Sequence, residues 1–410
     1  MNPHDTPCAG LTRRQTLLAL MGASTLGACG GGDGGGVAGV GTGGTGSFTI
    51  GPIFGFGSII VNGIRYDDSS ATITSDDSAF RREDLRLGMM VAVQGTTVVN
   101  GSSTATRIAL AGELVGPISS LASDGFVVLG QTVTVTGSTV FGPLSGGLTG
   151  LRVGQVVEVH GIAAQATNSV RATYIERKTS PSEYKVQGLV SAHDAAARRF
   201  SIGSLTMSYT DTSPGEVRVT PNIGASVRVR LDTSSTIGVY PVNRIRKPED
   251  SFSAFNGEVE FKGTITSFTS TNRFTVNDLP VDASAAAFPE GLAGIRAGAF
   301  VEVKGILANG AISASRVKPD NDGASVAATG AGTGTEFELH GTVSAASATG
   351  SAGSFTLTSS SGVSVAIDWN SGVTFRDGTA ARLVNGARVE VKGVLAGGSR
   401  VTASRISFES

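Results

Sequence analysis

The chain has 410 residues, 40% of them hydrophobic and 16% charged, with a formal net charge of −1. It has no basic surplus to meet a phosphate backbone, which excludes nucleic acid as the expected partner. Gly, at 58 residues, is far above ordinary usage, and with abundant Val, Thr and Ser it favours short strands joined by tight turns.

The first element is a targeting segment, residues 1–28. A short polar region ends in Arg13-Arg14, an apolar stretch runs Leu17-Leu18-Ala19-Leu20-Met21, and small residues follow at Gly22-Ala23-Ser24. That stretch is far shorter than the roughly 20 residues that span a bilayer, so it reads as a signal peptide and not an anchor helix. The segment closes on Leu26-Gly27-Ala28-Cys29-Gly30, which resembles the bacterial lipobox, where cleavage before a lipidated Cys leaves that residue at the mature N-terminus. Cys29 is therefore the expected lipidation site. The only other cysteine, Cys8, falls in the part removed, so the mature fold has no disulfide. Thr12-Arg13-Arg14-Gln15-Thr16-Leu17-Leu18 resembles a twin-arginine export signal, with Thr16 where Phe is usual; the general secretory route stays open beside it. Residues 29–47 are mostly Gly and read as a flexible tether.

After the tether one pattern recurs five times: Gly, two variable residues, Val-x-Val, a polar residue, then usually Gly. The copies begin at Gly88, Gly154, Gly224, Gly298 and Gly386, at intervals of 66, 70, 74 and 88 residues. Each is preceded by Gly-x-aliphatic, at Gly51, Gly116, Gly188, Gly263 and Gly341. Four units add Phe-x-aliphatic, at Phe126, Phe200, Phe274 and Phe355. Every unit ends on a short alternating strand, at Ile108, Ile175, Ile245, Val317 and Ile406. In Val389-Glu390-Val391-Lys392 the valines point one way and the charges the other, the period of a half-buried antiparallel strand. No later segment keeps an apolar stripe at helical spacing.

The expected architecture is all-β: five tandem small barrels, since closing a barrel removes exposed edges. The units span 48–112, 113–178, 183–247, 258–319 and 336–410, with 320–335 as a Gly/Ala/Thr-rich linker. Barrels joined by such linkers are expected to fold independently.

These residues carry a resemblance. The stretch Gly51 to Tyr66, the Gly-x-x-Val-Glu-Val-x-Gly strands and the Ala-x-Arg-Ile endings look like a bacterial family called domain of unknown function 5666, found in tandem copies in exported proteins and lipoproteins. The resemblance covers nearly all of residues 48–408 and is strongest in units one, four and five; unit three departs, with Leu231 in place of the closing Gly. It implies an OB-like five-stranded barrel for each unit and implies no reaction.

The residues that could carry chemistry are few. His160 and His340 fall in outward polar slots that accept any hydrophile, and His193 falls in a turn beside Asp194. Three histidines in three units make no site unless the units clasp one another. Asp67-Asp68 and Asp76-Asp77 could form an oxygen-rich patch, but they read first as solvated turns. Asp320-Asn321-Asp322-Gly323 lacks the spacing and distal Glu of a calcium loop. Trp369 continues the inward face of Val363, Val365 and Ile367, so it reads as core, as do the four phenylalanines, with a sugar-stacking platform as the other reading.

The sequence thus predicts a non-enzymatic, membrane-tethered envelope lipoprotein with a binding or structural role, without cofactor or metal. The runner-up is a carrier of a small ligand, glycan or divalent cation on one unit. The expected partners are the membrane, through the N-terminal lipid, and an envelope protein or glycan. Because Gly30 is not the Asp of an inner-membrane retention signal, the outer membrane is the expected address.

Overall fold

The computed structural model describes residues 46–75, 80–142, 144, 146–164, 167–252, 255–277, 279–319, 336–359, 364–395 and 400–409. Arg13, Arg14, Cys29, Asp76-Asp77 and the 320–335 segment lie outside the described residues.

Unit four shows the plan most simply. Strands β18 (Gly257–Ser270), β19 (Arg273–Val276), β20 (Leu279–Asp282), β21 (Phe300–Ala308) and β22 (Ala311–Pro319) form a closed barrel in the order β18-β19-β20-β22-β21. The first three make an antiparallel meander, the third runs parallel to the fifth, and the fourth closes on the first. That circuit is the five-stranded Greek-key barrel of OB-like folds.

The same circuit runs through the other units. Unit one uses β1 (Ser47–Phe56), β2 (Ile59–Val61), β3 (Ile64–Asp67), β5 (Met90–Gly95) and β6 (Ser102–Leu110), with a short β4 (Thr72–Thr74) beside β6. Unit two uses β7 (Glu113–Ala122), β8 (Gly125–Val128), β9 (Gln131–Thr134), β11 (Val156–Ala164) and β12 (Ser169–Arg177), with β10 (Val140–Phe141) beside β12. Unit three uses β13 (Tyr184–Asp194), β14 (Arg199–Ile202), β15 (Leu205–Ser208), β16 (Ser226–Leu231) and β17 (Val239–Arg246). Unit five uses β23 (Glu336–Thr349), β24 (Ala352–Thr358), β25 (Ser364–Trp369), β27 (Arg388–Leu395) and β28 (Arg400–Phe408), with β26 (Thr374–Arg376) beside β28.

Sequence alternation explains the facing. Val91, Val93, Val157, Val159, Val227, Val229, Val301, Val303, Val389 and Val391 are all fully buried, each burial contributing about 1.5–3 kcal/mol. Phe126, Phe200, Phe274, Phe355 and Trp369 are core residues, as their alternation predicts.

The recurring glycines have two separate causes. The Gly opening each Val-x-Val motif, such as Gly154, turns the chain at a positive φ of 86°. The closing Gly sits at a bulge where the fourth strand slips register against the fifth. A Cβ on Gly305 would lie 2.3 Å from the Ser313 carbonyl, so only Gly fits. An Ala faces that Gly across the bulge: Ala105, Ala172, Ala314 or Ala403. Unit three keeps the bulge but replaces the Gly–Ala pair with Leu231 and Val242, both buried.

The barrels are not independent beads, which corrects the expectation from their linkers. One core runs through units one and five, where β1 pairs in parallel with β23 at Gly55↔Glu338 and Phe56↔Leu339. A second core runs through units two and three, joined at Lys185↔Val115. The third holds the unit-four barrel together with Phe48, Ile50, Met90, Ala92, Ala109 and Ala111 of unit one. The described residues from 46 to 409 fall in a single compact unit.

Candidate functional site

Outward side chains of the first, fourth and fifth strands form one face on every barrel. The ladder register gives the rows. In unit one they are Ile50-Ala92-Ala109 and Phe48-Gln94-Arg107, and in unit two Val115-Glu158-Glu176 and His160-Tyr174. Unit three carries Gln187-Arg228-Arg246 and Lys185-Arg230-Arg244. Unit four carries Lys262-Glu302-Lys318 and Glu260-Lys304-Arg316, and unit five His340-Glu390-Ser407 and Glu338-Lys392-Arg405.

The apolar face of unit one is an internal interface. Phe48 meets Phe255 edge-on at 5.2 Å and Phe261 at 6.1 Å. The Asn62 Nδ2 donates to the Lys262 carbonyl at 3.1 Å, and the Asn277 Nδ2 donates to the Ile50 carbonyl at 3.0 Å. At its rim a cleft of about 250 Å³ is lined by Ser47, Gln94, Thr96, Thr106, Asn256 and Glu258.

His160 departs from the outward-slot expectation: it is fully buried at the junction of units one and two. One ring nitrogen lies 2.9 Å from Glu158, the other 3.3 Å from the Ala111 carbonyl. Burial alone would raise the Glu158 pKa. The hydrogen bond and charge of His160, with Lys178 at 2.7 Å, reverse that and hold it low.

His340 is half-buried where units one and five meet, so the units do clasp around it. Its Nδ1 is 2.5 Å from Glu409 and its Nε2 3.1 Å from Glu338. Arg65 of unit one pairs with Glu338 and also approaches Nε2 to 2.9 Å. Burial opposes a charged ring, yet the bonds to Glu338 and Glu409 outweigh it and raise the His340 pKa. Protonated, the ring donates to both carboxylates; neutral, it can accept from Arg65 instead.

Glu338, His340 and Glu390 offer ligand atoms within 4.8 Å of one another, a spacing that would admit a metal ion. The donors are already spent: Lys392 lies 2.9 Å from Glu338, and both ring nitrogens have carboxylate partners. The cluster reads as an ion-pair lock between barrels. The bond from His340, reinforced by Lys392 and Arg65 against burial, lowers the Glu338 pKa to about 2. Its stabilising contribution is present above the ordinary carboxylate range and is lost as pH falls towards that value. The raised His340 contributes fully below its ordinary pKa, and that part is lost as pH rises through the folded value. Thermal unfolding across pH 5 to 9 should therefore show stability falling on the alkaline side, and His340→Gln should flatten that limb.

The remaining candidates are structural. His193 lies in β13, one residue from its end and not in the expected turn, and bonds the Tyr209 hydroxyl at 2.8 Å. Asp68 is buried and paired with Arg82 at 2.7 Å, so it is not the solvated turn residue that sequence suggests. The sequence reading missed the interfaces themselves. Its available signal was Ala92, an apolar residue where the other units carry Glu158, Arg228, Glu302 and Glu390.

Comparison with known proteins follows the repeat. A family model described as a domain of unknown function, DUF5666, matches residues 49–109, 115–176, 262–318 and 340–407. Unit three, which lacks the Gly–Ala bulge pair, is not among the matched regions. A solved structure titled "drosophila Unr CSD456" is 15% identical, covering 57% of this chain and 99% of its own, with a TM-score of 0.15. No curated protein matches the chain.

Proposed function

This chain belongs to the DUF5666 family, and from that premise we propose a membrane-tethered envelope lipoprotein, lipidated at Cys29, with a non-enzymatic binding or structural role. One observation carries the reading: the side chains best suited to chemistry are committed to holding the fold together. His160 bonds Glu158, His340 bonds Glu338 and Glu409, and His193 bonds Tyr209. A general base needs a free nitrogen aimed at a reacting group, and these rings serve barrel junctions and strand ends. The lipobox-like Leu26-Gly27-Ala28-Cys29 supports the tether, and Gly30 supports an outer-membrane address.

Cys29→Ser should abolish acylation, seen by mass spectrometry, and move the protein to the soluble fraction after a salt wash, while the wild type stays with membranes. Retention of the mutant after that wash, without acyl mass, contradicts the tether. The second reading, a carrier of one small ligand, is supported by the cleft between units one and four. Titration with glycans or divalent cations giving one saturable site, lost in Thr96→Trp, would favour it.

A further inference from the structure

Beyond its bulge, unit three departs from the other barrels at two further places. On its outer face, five of six positions are cationic: Arg228, Arg230, Arg244 and Arg246, together with Lys185, which is buried at the joint with unit two; Gln187 is the sixth. Directly opposed like charges destabilise a sheet; units four and five each hold one such pair, Lys304 with Arg316 and Lys392 with Arg405, and offset it with an acid in the same row, Glu260 or Glu338. Here Arg228 faces Arg246 and Arg230 faces Arg244. An isolated bridge from Val217 to Ile245 sets the exposed Arg218 beside this face. Glu183 binds Arg230, and Glu216 binds Arg244 and Arg246. Counting the four face arginines with Arg218, the arginines outnumber these two acids.

The second departure is the hairpin joining β16 to β17. Its two-residue turn, closed by Thr236 and Val239, has positive φ at both Ile237 (52°) and Gly238 (74°). Turns of this type favour Asn-Gly, which units one and four use at Asn100-Gly101 and Asn309-Gly310. A β-branched residue there is strained, and Ile237 is also 98% exposed. The exposed Ile223, ahead of β16, is a second apolar tip in the same unit.

We propose that unit three docks on an anionic lipid surface, its arginines binding phosphate headgroups and Ile237 entering the interface. A basic face with an apolar tip is the pairing that peripheral membrane contacts use. Guanidinium groups bind phosphate oxygens two at a time, and the face carries no aromatic row on which a single-stranded polymer could stack. The proposal extends the tether reading but does not depend on lipid at Cys29.

The test uses the full chain carrying Cys29→Ser, co-sedimented with vesicles of phosphatidylglycerol and phosphatidylcholine, and with phosphatidylcholine alone. Binding is expected only to the anionic vesicles and should weaken steeply with salt. Arg218→Gln with Arg244→Gln should lower partitioning at least about tenfold. Ile237→Asn should lower it about threefold while the melting temperature stays equal or rises, because the strain is relieved. Equal binding to both vesicle types, unchanged binding of both variants, or binding of soluble polygalacturonate with the vesicles left untouched would overturn the proposal. Failure of the tether would show instead in the cell fractionation of Cys29→Ser, leaving the vesicle result unaffected.

Discussion

Val391→Asp is expected to unfold unit five and to loosen unit one with it. Val391 is fully buried in a cluster that includes Leu339, Ile367 and Ile406, and the new carboxylate would have no partner there. An unpaired buried charge costs at least about 3 kcal/mol. The damage should spread because the same cluster contains Ile53, Phe56 and Val93 of unit one, and Phe54 packs on Phe337 at 6.1 Å. Limited proteolysis should cut within 336–410 and within 47–110 before it cuts the separate core of units two and three. Glu390→Val should cost no more than about 1 kcal/mol, since Glu390 points outward and its pair with Lys392 spans 3.8 Å. Cleavage confined to unit five would show that its barrel stands alone.

The second large effect is expected from a residue that looks innocuous. Ala92→Glu gives unit one the residue that units two, four and five carry at that position, yet it should destabilise the chain by several kcal/mol. Ala92 is fully buried between Ile50 and Ala109, against the barrel of unit four. A glutamate there would lose its water without gaining a cation. Calorimetry should show a large drop in melting temperature for Ala92→Glu. Arg228→Glu, at the matching position of unit three, should cost far less because arginines surround it.

Much of this fold was legible because strand alternation is a local property. Val389 and Val391 announce an inward face whatever lies beyond the barrel, and Phe355 and Trp369 follow the same rule. Leu231 also marked unit three as the divergent copy, and the structure traces that departure to its bulge. The docking of one barrel on another was not legible in the same way. It depends on outward residues, and outward polar residues such as His160, His340 and Glu158 look alike whether they meet water or a neighbouring barrel. Burial of His160 follows from the approach of Ala111 across 49 positions of sequence, which no periodicity records. The clearest hints were substitutions that broke the alternation of polarity between copies, Ala92 in unit one and the arginine pair in unit three.

The central claim, that the barrels form one body built around unit one, can be tested at Trp369, the single tryptophan of the chain. It lies in unit five, in the core shared with unit one, and Ala92 is on the opposite side of the unit-one barrel wall. Urea unfolding of Ala92→Glu, followed by tryptophan fluorescence, should shift to lower urea together with the far-ultraviolet circular dichroism. A fluorescence transition that stays at its wild-type midpoint while the dichroism shifts would contradict the account and return the barrels to independence.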